Sequence, residues 1–267
     1  MKQKYNIGKK SVLITGTTSG IGYELSRIFA REGFNLVLVS RSEQGLKIQK
    51  ESLQKRQGGE VLTIAKDLSD PKAPEAIFSV VKSHDIHIDI LVNNAGFNES
   101  GPFYETRLEK ELQMLQVHIA TLTSLSKFFL PGMIKNKYGK ILNLGSTGSF
   151  APCPLDAVYC ASKAYVLSFS NALRAELLGT GVTVTVLCPG ATKTEFARKS
   201  NMESTLLFRR FVMEPDQVAE IAYYQLMRNK KVIIPGLYNR MLVLSIPFTP
   251  GRILDRISML LLKRGQS

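Results

Sequence analysis

The sequence predicts an α/β fold in which a parallel seven-stranded sheet is covered by helices on both faces. Three observations carry that prediction. Short apolar runs recur along the chain, segments of helical period separate them, and a glycine-rich turn follows the first run directly. Such alternation is the signature of parallel strands joined by crossover helices.

The apolar runs fall at 12–15, 36–39, 61–65, 88–92, 140–144, 182–187 and 232–234. They are rich in Val, Ile and Leu without strict polar alternation, as strands covered on both faces require. After the first run, Ile21, Leu25, Ile28 and Phe29 share one helical face. Leu112, Leu115, Ile119, Leu122, Leu125 and Phe129 mark a long helix before the fifth strand. Ala164, Leu167, Phe169, Ala172 and Leu177 line another helix after that strand. Gly33, Pro131-Gly132, Gly179 and Gly181 are expected at element ends.

Two stretches break the pattern. The connection 191–213 carries Phe196, Met202, Leu206, Leu207, Phe208, Phe211 and Met213. Connections this long usually serve function, so 191–214 is expected to form a substrate lid. The stretch 237–267 is an apolar and basic tail, broken at Pro247-Phe248-Thr249-Pro250-Gly251. The expected organisation is therefore one catalytic domain over 1–236 and a tail over 237–267.

Composition narrows the function classes. With 44% hydrophobic and 21% charged residues the chain reads as a folded globular protein. The three cysteines Cys153, Cys160 and Cys188 form no disulfide framework, which predicts a reducing, cytoplasmic setting. His84 and His87 have no third ligand at metal spacing, so no metal is expected. The net charge of +13 favours anionic partners, but the basic residues are dispersed and predict no nucleic-acid interface. No signal peptide and no spanning apolar run is visible. In the tail, Ile253, Leu254, Ile257 and Leu260 alternate with Arg252, Arg256, Lys263 and Arg264. That pattern admits an interfacial helix in peripheral contact with a membrane, or packing over a pocket or against another subunit.

The glycine turn reads Thr15-Gly16-Thr17-Thr18-Ser19-Gly20-Ile21-Gly22, and a helix follows at once. Its glycines let backbone approach a pyrophosphate, and the helix N-terminus supplies N–H donors and a positive dipole. Gly16, Thr18, Ser19, Gly20, Ile21 and Gly22 are thus expected to bind a dinucleotide in a doubly wound Rossmann-type domain. The second strand ends at Ser40-Arg41 rather than at a carboxylate. Nothing there repels a 2′-phosphate and Arg41 can bind one, so NADP(H) is preferred and NAD(H) is the alternative.

Tyr159 and Lys163 stand at i and i+4 on one helical face, with Ser146 just beyond the fifth strand. A phenol with an ordinary pKa of about 10 needs a nearby cation to ionise near neutral pH, and Lys163 is the candidate. With Asn93-Asn94-Ala95-Gly96, Asp67 and Pro189-Gly190, these residues resemble the short-chain dehydrogenase/reductase family over 9–236. The resemblance implies an oxidoreductase that moves hydride between the cofactor and a carbonyl or alcohol carbon. It gives Tyr159 the role of general acid and base, Lys163 that of ribose ligand, and Ser146 that of carbonyl anchor. Asp67 and Leu68 are implied beside the adenine, Asn94, Ala95 and Gly96 along the cofactor, and Pro189, Gly190, Thr192 and Thr194 near the carboxamide.

The family commonly has an asparagine where this chain has His118. Three expectations stand: a backbone carbonyl keeps the relay water, His118 itself titrates, or His118 makes a structural hydrogen bond. The tail also departs from the glycine-rich endings of tetrameric members, while pairing through the long helices predicts a homo-oligomer such as a dimer. An apolar ketone or secondary alcohol is the expected substrate, given Phe97, Phe103, Phe150 and Leu155 near the motifs. Steroids, bile acids and 3-oxoacyl groups belong to that class. The alternative is a cofactor-binding sensor or partner protein without turnover.

Overall fold

Residues 9–54, 59–200, 205, 208 and 212–262 are described in a computed structural model of the chain. Each predicted apolar run forms a strand: β1 (Ser11–Thr15), β2 (Asn35–Ser40), β3 (Val61–Ala65), β4 (Ile90–Asn93), β5 (Gly139–Leu144), β6 (Val182–Leu187) and β7 (Val232–Ile233). All pairings are parallel, in the order β3-β2-β1-β4-β5-β6-β7. The direction of winding reverses between β1 and β4, which opens a crevice at their C-terminal ends.

Strand periodicity sorts the core into two layers. Val12, Ile14, Leu36 and Leu38 face one layer, against α1 (Gly20–Arg31) and α8 (Pro215–Met227). Leu13, Val37, Val39 and Ile141 face the other, against α3 (Ala73–Ser83) and α5 (Leu122–Lys135). α2 (Glu43–Gln54) covers the β3 end, while α4 (Leu108–Leu115) leads into α5 through a π-helical turn, Gln116–Thr121. Burying side chains such as Phe29 and Leu13 stabilises the fold by about 1.5–3 kcal/mol each.

The helical stretch from α4 through α5 has the length to cross a bilayer. Met114, His118, Thr121, Leu125 and Phe129 are buried along it, so it is an internal crossover helix. The expected stop at Pro131-Gly132 is corrected, because α5 continues to Lys135. Pro131 forfeits only its own bond to the Lys127 carbonyl, and the fully buried Met133 holds the last turn.

α6 (Ala157–Glu176) carries Tyr159 and Lys163, and the short α7 (Glu195–Lys199) opens the 191–213 connection. That connection is pinned at its base, where Thr192 bridges Met213 and the Met213 N–H donates to the Ala191 carbonyl (3.0 Å). Met202, Leu206, Leu207 and Phe211, expected in the lid, lie outside the described residues. The tail forms α9 (Leu237–Ser245) and α10 (Gly251–Leu262), parted at the Pro-rich break, and Lys263 and Arg264 lie outside the described residues.

Candidate active site

At the crevice, the first βα turn is locked to the fourth. The Asn94 side chain donates to the carbonyls of Thr15 (2.9 Å) and Gly16 (3.0 Å). The Thr15 hydroxyl accepts from the N–H groups of Asn94 and Ala95, each at 3.0 Å. Gly16 sits at φ +69°, and a Cβ there would lie 2.8 Å from Ala95 backbone. At Gly22 a Cβ would fall 2.3 Å from the Gly16 carbonyl oxygen, so helix and turn pack at a distance only glycine permits.

Ser19 caps the start of α1 without a side-chain bond to the helix. The first-turn N–H groups and the dipole therefore face the crevice, as a pyrophosphate requires. This bare cradle fits a dinucleotide.

A cavity of about 780 Å³ runs from this cradle across the sheet ends. Gly16, Thr18, Ser19, Gly20 and Ile21 line one end, with Arg41, Asp67 and Leu68 beyond them. Asn94, Ala95 and Gly96 form the floor, and Pro189, Gly190, Thr192 and Thr194 the far wall. Ser146, Tyr159 and Lys163 face the same space. Of the residues expected to bind the cofactor or to act in catalysis, only Gly22 lies beneath the lining rather than on it.

At the outer end, burial works to raise the Asp67 pKa, but Ser69 hydrogen bonds and the charges of Arg41 and Lys110 outweigh it. The carboxyl is held below its ordinary value. Arg41 is exposed beside Ser40, whose hydroxyl is shared with Thr18 at 2.9 Å.

At the inner end, the Ser146 hydroxyl accepts from the Gly148 N–H (3.1 Å), which leaves its own hydrogen to donate. Tyr159 receives a hydrogen bond from it. Burial nevertheless pushes the phenol far above its ordinary value, with the neighbouring Cys160 adding to the rise and Ser146 opposing it. The expected pull of Lys163 on the phenol does not prevail in the protein alone. Lys163 is itself buried, donates to the Leu144 carbonyl (2.8 Å), and is brought down to about 8 by desolvation.

His118 resolves into the third of its expected roles. It is fully buried, and desolvation followed by repulsion from Lys163 holds its pKa well below the ordinary range. Its Nε2 accepts from the Phe97 N–H (3.3 Å), which places the proton on Nδ1. Nδ1–H then donates to Ser162 Oγ (2.9 Å), and Ser162 donates to the Tyr159 carbonyl (2.6 Å). The neutral ring thus ties the π-helical turn, the Phe97 loop and the turn bearing Tyr159 together. Gly96 is required beside it, since a Cβ there would lie 2.6 Å from Nε2. Behind Lys163 a second cavity of about 10 Å³ touches Asn93, His118, Thr121 and Leu144. That is about the volume one water needs.

The remaining walls carry charged groups, Glu99, Arg107, Lys110 and Glu195 among them, beside a set of apolar ones. Phe97 and Phe196 line the large cavity, and the Phe196 ring lies 5.8 Å from that of Tyr159. Three expected wall residues do not reach it. Phe103 is 65% exposed, Phe150 packs beside Val166 and Cys188, and Leu155 sits in a turn at φ +69°. Their places are taken by Leu254, Ile257 and Leu261 of α10, within the tail segment that admitted packing over a pocket, and by Leu242, Ile246 and Cys153, which the sequence reading did not place there.

Among the described residues no cluster of metal-ligating side chains occurs. The family model described as short chain dehydrogenase matches residues 10–205. The ketoacyl reductase HetN of Nostoc sp. is 34% identical over 183 residues, spanning 68% of this chain but 63% of that relative's length. Among solved structures, a short-chain dehydrogenase from Sphingobium yanoikuyae in complex with NADPH superposes with a TM-score of 0.81 at 32% identity, covering 97% of this chain and 98% of the other. A bulky-bulky ketone specific alcohol dehydrogenase from Comamonas testosteroni gives 0.77 at 29% identity, over 90% and 92%.

Proposed function

The chain belongs to the short-chain dehydrogenase family of nicotinamide-dependent oxidoreductases, and from that premise we propose an NADP(H)-dependent enzyme acting on an apolar ketone or secondary alcohol. The observation that carries the proposal is the convergence of Ser146, Tyr159 and Lys163 on one end of a largely apolar cavity. NADP(H), when bound, supplies or accepts the hydride. Ser146, held by the Gly148 N–H, turns its one hydrogen from Tyr159 to the reacting oxygen when a carbonyl is bound. Tyr159, protonated at neutral pH by its burial, gives its phenolic proton to that oxygen, which favours the direction of carbonyl reduction. Lys163 would hold the ribose of the bound cofactor and supply positive charge beside the phenol. The small cavity behind Lys163 has about the volume of one water, through which the proton would be returned.

Ser40-Arg41, with no carboxylate, supports NADP(H) over NAD(H), as does the NADPH bound by the Sphingobium relative. Phe97, Phe196 and the tail residues support an apolar substrate of steroid, bile-acid or 3-oxoacyl size. We extend the proposal to a cytoplasmic homo-oligomer, supported by the three free thiols and by exposed Leu108 and Leu112 on α4.

The test is NADPH oxidation with ketosteroids, 3-oxoacyl thioesters and aromatic ketones. Tyr159→Phe is expected to lower kcat about 10²–10⁴-fold while NADPH still binds, read by cofactor fluorescence. An unchanged rate overturns the assignment.

A further inference from the structure

The two tail helices have a second face that the cavity does not use. Leu242, Leu254 and Leu261 turn inward to line it, and Ile257, 41% exposed, stands at its rim. On the other side of α9, Leu237, Met241 and Leu244 recur at i, i+4 and i+7, and are 73%, 62% and 69% exposed. Phe248, in the turn between the helices, is 87% exposed. On α10, Ile253 and Leu260 repeat the i, i+7 spacing and are also exposed. Side chains at these spacings are neighbours on a helix surface, so each helix shows an apolar stripe to its surroundings. Soluble surfaces rarely leave such stripes uncovered without a partner.

We propose that this face docks on an anionic lipid bilayer, with α9 and α10 lying in the plane of the headgroups. Charge selects that occupant. Arg252 and Arg256 are exposed at i, i+4 beside Ile253, and Asp255 is the single acidic residue in 237–267 against five basic ones. Apolar side chains bordered by arginines are what an interfacial helix presents to acidic headgroups. A second copy of the chain meeting the same face would bring two arginines to each Asp255 on both sides, a net like charge that opposes self-pairing. The chain as a whole adds a net charge of +13. The docking stands on this surface alone. Its further consequence, that a lipophilic carbonyl passes from the bilayer to the cavity beneath the same helices, rests on the substrate reading above.

Co-sedimentation of the full chain with vesicles decides it. Binding is expected to vesicles of phosphatidylcholine with 30% phosphatidylglycerol, at least about tenfold above pure phosphatidylcholine, and to fall in high salt. Arg252→Ser with Arg256→Ser should weaken binding about 30-fold, since each arginine near an anionic surface is worth about fivefold. Leu244→Ser with Phe248→Ser should abolish it, while NADPH binding in solution and turnover of a water-soluble ketone stay unchanged, because none of the four side chains lines the cavity. No sedimentation, equal sedimentation on both lipids, or unaltered sedimentation of both variants overturns the proposal. Concentration-dependent dimerisation that the Leu244/Phe248 variant loses, with no vesicle binding, assigns the face to a second copy instead. Loss of all carbonyl turnover in solution with intact vesicle binding would reject the substrate reading and leave the docking standing.

Discussion

The two ends of the cavity are built by different means. The cofactor end is set by backbone: Gly16 and Gly22 stand where a Cβ would meet main-chain atoms, and four hydrogen bonds tie Thr15 and Gly16 to Asn94 and Ala95. The substrate end is made of side chains on helices outside the sheet, Phe196 from α7 and Leu254, Ile257 and Leu261 from α10. One end has almost no tolerance for change, because backbone atoms cannot move aside. The other is a wall in which interchangeable apolar groups stand beside Glu195, Ser200 and Ser258. The contrast teaches that fixed chemistry and adjustable specificity are carried by separate parts of the chain.

Gly22→Ala should break the first end most sharply. Its Cβ would meet a backbone oxygen at 2.3 Å, and overpacking of that kind costs about 1–3 kcal/mol, or up to about 100-fold in cofactor Kd. Titration calorimetry reads this, and NADPH binding unchanged from the wild type would refute the close-packed cradle. Arg41→Ala tests the outer edge of the same end. It should weaken NADPH about 10–100-fold and leave NADH unaffected, as loss of a charge-assisted contact to phosphate predicts. Equal losses for both cofactors would remove Arg41 from phosphate recognition.

At the substrate end a milder response is expected. Phe196→Ala should raise KM for a bulky apolar ketone about tenfold, from lost burial, and change NADPH affinity little. A drop in kcat with KM unaltered would show that Phe196 serves Tyr159 rather than the substrate. The smallest effect concerns the joint between the two ends. His118 has a folded-state pKa below its unfolded value of 6.5, so its stabilising contribution is complete above about pH 6.5 and declines as pH falls below that. Each pH unit in that window removes up to about 1.4 kcal/mol from the wild type. His118→Asn should show a flatter decline between pH 7.5 and 5.5 in urea melts, and parallel declines would count against a buried neutral histidine.

The same contrast explains what could be read from the sequence. Gly16, Gly20, Asn94, Tyr159 and Lys163 were legible because each answers a constraint that few residue types meet, such as a positive φ or an i, i+4 pairing. All seven strands were legible for a related reason, since burial on both faces demands unbroken apolar runs. The tail contributors were not. Leu254 and Ile257 fit a helix packed on a cavity, on a subunit or on lipid equally well, and only their placement separates inward from outward faces. Phe103, Phe150 and Leu155 misled for the opposite reason: nearness in sequence to a motif is not nearness to the cavity. The π-helical turn at Gln116–Thr121 left no mark either, because one extra residue barely disturbs a helical period. Nor did the Pro131-Gly132 signal hold against the buried Met133 that follows it.

The pinned base of the 191–213 connection has a consequence for how such a protein diversifies. Because Thr192 and Met213 are bridged, whatever lies between them enters and leaves the domain at one point. Insertions or exchanges in that interval add little loop-closure cost and leave the strand ends undisturbed. The interval is thus a graft site: an ancestral chain could trade one set of wall residues for another without relearning how to hold its cofactor.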